Sequence, residues 1–268
     1  MSLQKSNNRK VFKEKFFTMG FLSISLMNVV IFLGLLFWLL LNGMPVLSLR
    51  FLITKSSVLR GIAAIGDYLL NTLILLVGTL LLSGVLGVMA ALYVCEYVKD
   101  RKMIPILSLA VEILSGIPSI VYGLFGMVFF GERMGFGYSL WTGILTLSIM
   151  VLPIMFTSAK ESFGMVSRQN KIGALALGAG KWYMIRTILL PEAFSGIGAG
   201  IVLSVGKVLG ESAALLFTAG SRGSLAVGIY RMLGRGEFRE CYGASVILLF
   251  LIFGVELAVQ NLKESRGR

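Results

Sequence analysis

Long apolar stretches separated by short polar segments dominate this sequence. Stretches of about 20 or more mostly apolar residues occur at 20–41, 70–94, 103–130, 139–158, 193–219 and 243–262. A helix of about 20 apolar residues crosses the roughly 30 Å hydrocarbon core of a bilayer. The pattern therefore predicts an all-α integral membrane protein with six transmembrane helices.

The third apolar stretch contains residues that interrupt helices. Pro105, Gly116 and Pro118 lie within it, the last two in the segment Ser-Gly-Ile-Pro-Ser. A proline removes one helical hydrogen bond and clashes with the preceding turn. We expect a kink or a short re-entrant break at this segment.

Composition agrees with a membrane protein and excludes several kinds of chemistry. Hydrophobic residues make up 56% of the 268 residues, charged residues 14%, and mean hydropathy is +0.87, whereas a soluble domain is about 25% charged. The chain has no histidine and only two cysteines, Cys95 and Cys241. Histidine-based catalysis and the usual Cys/His zinc sites are therefore excluded, and we expect no metal site.

Basic residues lie mainly between the apolar stretches. This distribution indicates that the net charge of +12 reflects orientation in the membrane and not binding of nucleic acid. With the N-terminus in the cytoplasm, the cytoplasmic segments hold 16 of the 25 Lys and Arg residues and the outer loops hold 8. Cytoplasmic segments are enriched in Lys and Arg. The sequence thus predicts that both termini are cytoplasmic.

The cytoplasmic segment 159–191 has a helical pattern of its own. Apolar residues recur at helical spacing before and after Gly178-Ala179-Gly180, which predicts two short helices joined by a glycine turn. The letters GAGKW at 178–182 do not form a phosphate-binding loop. Such a loop needs a glycine where Leu175 stands and Ser or Thr where Trp182 stands.

The segment KIGALALGAGKWYMIRTILLP resembles the EAA loop of ABC-importer permeases. Gly178 matches the glycine of that motif and Leu190-Pro191 its terminal pair, while Ile172 and Gly173 replace the usual Glu and Ala of the triplet. The resemblance implies that this loop contacts a separate ATPase. The residues that would carry the coupling are Ala174, Leu177, Gly178 and Pro191.

Two further segments resemble phosphate-importer permeases of the PstA type. They are VEILSGIPSIVYGLFGMVFF at 111–130 and GKVLGESAALLFTAG at 206–220, and the similarity as a whole covers about 70–262. The resemblance implies a type I ABC-importer permease fold in the cytoplasmic membrane of a prokaryote. On this basis we divide the chain into a basic tail (1–19), a first helix with an outer loop (20–69), a permease core (70–262) and a second tail (263–268).

The same resemblance implies a set of partners and a substrate. The substrate is inorganic phosphate, and the partners are a PstC-like second permease, a dimeric PstB-like ATPase and a PstS-like extracytoplasmic phosphate-binding protein. The chain itself is expected to be a transport subunit with no cofactor, because ATP and magnesium would be bound by the ATPase.

Charged residues inside the predicted spans are the candidates for the transport path. Lys207 lies near the middle of the span 193–219, and Glu211 follows one helical turn later. A charge at the centre of a membrane helix costs about 2.5–3.5 kcal/mol, so such residues are candidates for function. Ser204 and Thr218 are predicted on the same helical stripe.

Two interpretations of Lys207 and Glu211 remain open. The two residues either neutralise each other and hold helices together, or they line an anion path. In the second case Lys207 offsets the anion charge, and Glu211 accepts a hydrogen bond from the proton that phosphate keeps and sulfate lacks. Glu112, in the third span, either pairs with a basic residue of a neighbouring helix or reaches toward the cytoplasmic surface.

Two alternative functions also remain open. The chain could serve another oxyanion such as molybdate or sulfate, against which the segments IPSIVYGLFG and GESAALLFTAG argue. It could also be a carrier or channel driven by an ion gradient. The EAA-like loop argues against this second alternative, because a carrier of that kind has no ATPase to dock.

Overall fold

A computed structural model describes residues 2–54, 64–98, 100 and 102–266, and every regular element in these ranges is helical. The α-helices are α1 (Ser2–Gly43), α2 (Leu49–Ile53), α3 (Gly66–Glu96), α4 (Met103–Gly116), α5 (Ser119–Gly126), α6 (Leu140–Met165), α7 (Arg168–Ala176), α8 (Lys181–Met184), α9 (Leu190–Leu209), α10 (Ala213–Thr218), α11 (Leu225–Gly234) and α12 (Phe238–Arg266). Two wider π-type turns extend α5 (Met127–Arg133) and join α8 to α9 (Ile185–Leu189).

Five helical segments of this part of the chain are long and apolar enough to cross a membrane, and a sixth span is a bent pair. The pair consists of α4 and the segment Ser119–Arg133, which meet at an angle of 95°. The predicted number of six spans and the break at Ser-Gly-Ile-Pro-Ser are both confirmed. Five of the basic residues counted above, Lys55, Arg60, Lys99, Arg101 and Arg268, lie outside the described residues.

The bend between α4 and α5 follows from Pro118. In a continuous helix the N–H of residue 118 would bond to the carbonyl of Leu114, but proline has no N–H. The Tyr122 hydroxyl donates to this carbonyl instead, at 2.7 Å, and the N–H of Ile117 donates at 3.3 Å. The side chain of α5 thus satisfies the backbone group that the proline leaves free.

The fifth predicted span, 193–219, is wrong in its boundaries. The observed helical segment runs from Lys181 to Leu209, and the chain breaks at Gly210–Ser212 before α10 begins. The π-type turn before α9 accommodates Pro191, which has no N–H to donate. Hydropathy shifted the predicted span toward the C-terminus because the first turns of the observed segment contain Lys181, Arg186 and Glu192, whereas α10 beyond the break is apolar.

The core lies between α3, α6, α9 and α10. A Cβ added at Gly87 of α3 would lie 2.8 Å from the Cβ of Met155 on α6, so the two helices are in close contact. The buried hydroxyls of α6 all donate to backbone carbonyls: Thr146, Ser148 and Ser162 bond to their own helix, and Thr142 bonds to the Gly137 carbonyl just before it. They therefore place no unpaired polar atom against the neighbouring helices.

Helix α1 lies at the periphery. An 18-residue window of its apolar segment has a mean hydropathy of 2.5 and contains no buried residue, and only Gly43 at the end of the described part of the helix is buried. It packs against α12, where the rings of Trp38 and Tyr242 meet edge to face at 4.9 Å. The other faces of α1 are therefore available to lipid.

Candidate functional site

Lys207 lies at the end of α9, and Glu211 lies within the break that follows it. The Lys207 Nζ is 3.9 Å from the Glu211 Oε2, so the predicted contact between them is present. Lys207 lies in the last turn of α9, two residues before its end and not in the middle of a continuous helix as predicted. The single helical stripe that was to include Thr218 is therefore wrong, because the break at Gly210 interrupts it.

Glu211 is the residue that organises this break. Its Oε1 accepts a hydrogen bond from the N–H of Ala214 at 3.0 Å, which caps the first turn of α10. Its backbone carbonyl accepts the hydroxyl of Ser224 at 3.3 Å, just before α11. The carboxylate itself is buried, with 6% of its side chain exposed.

Lys207 differs from its partner in exposure and in hydrogen bonding. Its side chain is 46% exposed, and its distance of 3.9 Å to the carboxylate is longer than a hydrogen bond. In the described part of the chain the ammonium group donates no hydrogen bond, although it carries three N–H donors. It is therefore a cation that can bind an anion without losing a protein hydrogen bond.

Ser204 and Thr218 are both fully buried and make different contacts. Thr218 donates to the Ala214 carbonyl of its own helix at 2.9 Å, and its backbone carbonyl accepts from the N–H of Ser139 at 3.1 Å. The Oγ of Ser204 has no hydrogen-bond partner among the described residues. Ser204 Oγ is thus an unpaired polar atom enclosed by the helix packing around α9.

The two interrupted spans pack against each other. A Cβ added at Gly123 of α5 would lie 2.8 Å from the Cα of Ala214 in α10, where neither backbone could move aside easily. The first turn of α10 that Glu211 caps therefore lies directly against α5. The structure brings the segments around Pro118 and Gly210 together, which the sequence did not indicate.

The loop between α7 and α8 has the helix–turn–helix form that was predicted. Gly178 has a φ of +84°, a region that favours glycine. Around it, Ala179 donates to the Ala174 carbonyl and Gly178 to the Leu175 carbonyl, each at 3.0 Å. These two bonds form a Schellman motif, which ends α7 and satisfies its last carbonyls.

An open groove of about 920 Å³ lies between α7 and the helix that follows it. Ala174, Leu177 and Gly178 line this groove, and the side chain of Leu177 is 91% exposed. Pro191 is exposed in the first turn of α9, next to Glu192, whose carboxylate accepts from the Asn170 amide at 2.9 Å. An exposed leucine beside an apolar groove is typical of a protein interaction surface.

Glu96 at the end of α3 holds both arms of this loop. Its carboxylate pairs with Lys171 of α7 at 2.8 Å, and its carbonyl accepts a hydrogen bond from Lys181 of α8. The Lys181 ammonium also lies 4.1 Å from the ring centre of Tyr97. Sequence analysis missed Glu96, because its partners are more than 70 residues away and no motif contains it.

Glu112 lies on α4 and is exposed. Within the described residues it forms no ion pair, so of the two alternatives left open for it, pairing with a neighbouring helix is not observed. It lines a cavity that Lys160 of α6 also lines.

Comparisons with known proteins agree with this architecture. Residues 83–262 match the family described as "binding-protein-dependent transport system inner membrane component". The probable ABC transporter permease protein YqgI of Bacillus subtilis (strain 168) is 36% identical over 80% of this chain and 72% of its own length. The phosphate transport system permease protein PstA 1 of Mycobacterium tuberculosis (strain CDC 1551 / Oshkosh) is 31% identical over 70% of this chain and 69% of its own length.

Among solved structures, a crystal structure of a bacterial alginate ABC transporter contains a chain of the same fold. The TM-score is 0.74, with 94% of this chain and 96% of that chain covered at 16% sequence identity. The fold is thus that of a type I ABC-importer permease. The chain belongs to the family of binding-protein-dependent transport system inner membrane components.

Proposed function

We propose that this chain is the PstA-like permease subunit of an ATP-driven importer of inorganic phosphate. Several relatives at about 30% identity are phosphate transport permeases, whereas YqgI carries the general description of an ABC permease and the structural neighbours include an alginate transporter. The observation that carries the proposal is the half-exposed Lys207 ammonium, free of hydrogen bonds, beside the buried carboxylate of Glu211.

Lys207 and Glu211 have complementary roles in the proposed path. The lysine donates to the oxygens of the anion and offsets its charge. Glu211 Oε2 lies on the side of the carboxylate that faces Lys207, since Oε1 is already bonded to the N–H of Ala214. Oε2 accepts a hydrogen bond from the P–O–H group of hydrogen phosphate. Sulfate has no such proton to donate. Ser204 and Thr218 border the same interrupted span.

The proposed coupling element is the loop that contains Ala174, Leu177 and Gly178. Leu177 and the groove beside it dock onto a PstB-like ATPase, and Pro191 marks the start of the helix that carries the motion into the membrane. Glu96 links the loop to α3 through Lys171 and Lys181, so a displacement of the loop reaches two membrane helices.

The remaining partners complete this proposal. A PstC-like permease supplies the other half of the path, and a PstS-like binding protein delivers phosphate from outside. ATP and magnesium are bound by the ATPase, and the chain itself needs no cofactor.

The experiment is reconstitution of the chain with its partner permease, ATPase and binding protein in proteoliposomes. We expect ATP-dependent uptake of labelled phosphate that excess unlabelled phosphate suppresses and excess sulfate or molybdate does not. Suppression by sulfate or molybdate, but not by phosphate, would show that the substrate is the suppressing anion and not phosphate. Transport by the chain alone, driven by an ion gradient without ATPase, would overturn the importer mechanism.

A further inference from the structure

A cavity of about 420 Å³ with both polar and apolar lining lies between α4 and α6, and no residue of the break at Gly210 lines it. Its polar lining consists of Ser108, Glu112 and Ser115 from α4 and Thr157, Lys160 and Glu161 from α6. The cavity is at the same end of the molecule as the coupling loop, because α6 ends at Met165 and α7 begins at Arg168. In the predicted orientation this end faces the cytoplasm.

Lys160 is held in a fixed position in this cavity. Its Nζ donates to the Ser108 Oγ at 2.6 Å, and that hydroxyl donates onward to the Ile104 carbonyl at 2.9 Å. An ammonium group has three N–H donors, and the described contacts use one of them. Lys160 is partly buried, so its remaining donors belong to a site that is only partly open to water.

The two carboxylates of the cavity do not neutralise Lys160. In the described part of the chain neither Glu112 nor Glu161 forms an ion pair with it. The hydroxyl of Ser115 is already engaged, since it donates to the Glu112 carbonyl at 2.7 Å. The cavity therefore offers spare donors on a cation and spare acceptors on two carboxylates, side by side.

This combination fits an oxyanion that still carries a proton. The unprotonated oxygens of the anion accept hydrogen bonds from Lys160, and the P–O–H group donates a hydrogen bond to a carboxylate. The same carboxylate would repel a fully ionised anion, which has no proton to donate. Sulfate has no such proton at neutral pH. We propose that the cavity is a second binding site for protonated inorganic phosphate, distinct from Lys207 and Glu211, a proposal that rests on the proposed function.

The test is phosphate binding to the purified complex of both permeases and the ATPase, without the binding protein. Ligand binding to the folded state raises the melting temperature in a concentration-dependent way, so titrations yield a Kd for phosphate and for sulfate. We expect Lys160→Gln to weaken phosphate binding by about tenfold or more, because a hydrogen bond to a charged group is lost. Lys102→Gln, an exposed lysine outside the cavity, is the matched control and leaves the Kd unchanged.

The carboxylates are tested with the double variant Glu112→Gln and Glu161→Gln, both at exposed positions. We expect its preference for phosphate over sulfate to fall by about tenfold, with sulfate binding retained. The proposed site is overturned if the double variant keeps its preference for phosphate over sulfate. It is also overturned if Lys160→Gln leaves the phosphate Kd unchanged while Lys207→Met removes phosphate binding.

A phosphatidate headgroup presents the same protonated phosphate chemistry. Short-chain phosphatidate is therefore titrated in parallel, and stabilisation by this lipid without stabilisation by inorganic phosphate overturns the proposal. Uptake assays separate the two proposals. Lys160-dependent binding without phosphate import refutes the proposed function and leaves the site in place, whereas import without Lys160-dependent binding refutes only the site.

Discussion

The break between α4 and α5 and the break between α9 and α10 interrupt two apolar helices that pack against each other. Each leaves a backbone group without its usual helical partner, which is costly in an apolar environment. At the first break the free group is the carbonyl of Leu114, and the neutral hydroxyl of Tyr122 donates to it. At the second the free group is the N–H of Ala214, and the carboxylate of Glu211 accepts from it.

The difference between the two breaks shows that capping a helix does not by itself explain why a glutamate stands at position 211. Asn or Ser caps a helix as well as a carboxylate does, and neither introduces a charge that costs about 2.5–3.5 kcal/mol inside a membrane. The neutral solution at Leu114 shows that this fold can repair a break without charge. Glu211 and its partner Lys207 therefore do more than the repair requires, which favours the anion path over mutual neutralisation.

The orientation of both breaks can be tested by labelling with a membrane-impermeant thiol reagent in sealed right-side-out vesicles. Cys241 is buried, so an exposed position nearby, Arg239→Cys in a Cys241→Ser background, is the outer probe. We expect complete labelling of this cysteine, whereas the exposed Cys95 is labelled only after permeabilisation. The reverse pattern would invert the orientation.

The charged break is tested by neutralising its pair while keeping the cap. In Lys207→Met with Glu211→Gln, the amide oxygen still accepts from Ala214. We expect phosphate uptake to fall by about tenfold to a hundredfold, because a hydrogen bond to a charged group contributes about 1.5–3 kcal/mol. Co-purification of the ATPase checks assembly, and normal uptake would reduce the pair to a structural contact.

A third interruption is the turn between α7 and α8, which is predicted to face the cytoplasm and therefore to be surrounded by water instead of lipid. Gly178→Ala places a side chain in a left-handed conformation, which costs about 1–2 kcal/mol, and we expect uptake to fall by about fivefold to thirtyfold. Gly180→Ala is the matched control, since Gly180 has an ordinary negative φ and open space around it. Equal uptake by the two variants would show that the turn is not part of the coupling.

The smallest effect is expected at the break between α4 and α5, where an uncharged hydroxyl bonds to the free carbonyl. Tyr122→Phe removes the hydroxyl bonded to Leu114 and should destabilise the protein by about 1 kcal/mol, a decrease in Tm of about 2–4 °C. Tyr230→Phe, at a side chain that is 57% exposed, is the control. A Tm unchanged in Tyr122→Phe would mean that water replaces the hydroxyl at this carbonyl.

The sequence predicted features that depend on local chemistry. Pro118 marked one break because proline lacks a donor wherever it stands, and Gly178 marked the turn between α7 and α8. The break at Gly210 was missed because the surrounding apolar residues kept hydropathy high, and its long-range contact, from the Ser224 hydroxyl to the Glu211 carbonyl, forms only in the folded chain. The Glu96 contacts were missed for the same reason, since only the folded chain brings Lys171 and Lys181 to it.

The peripheral position of α1 has a consequence for how the protein is made. A ribosome adds about 5–20 residues per second, so Tyr242, about 200 residues after Trp38, emerges some ten seconds or more later. Until then α1 has no partner on α12 and must remain stable as a single helix surrounded by lipid. Its high hydropathy and its lack of buried surface suit that interval, during which it anchors the growing chain while the other spans insert.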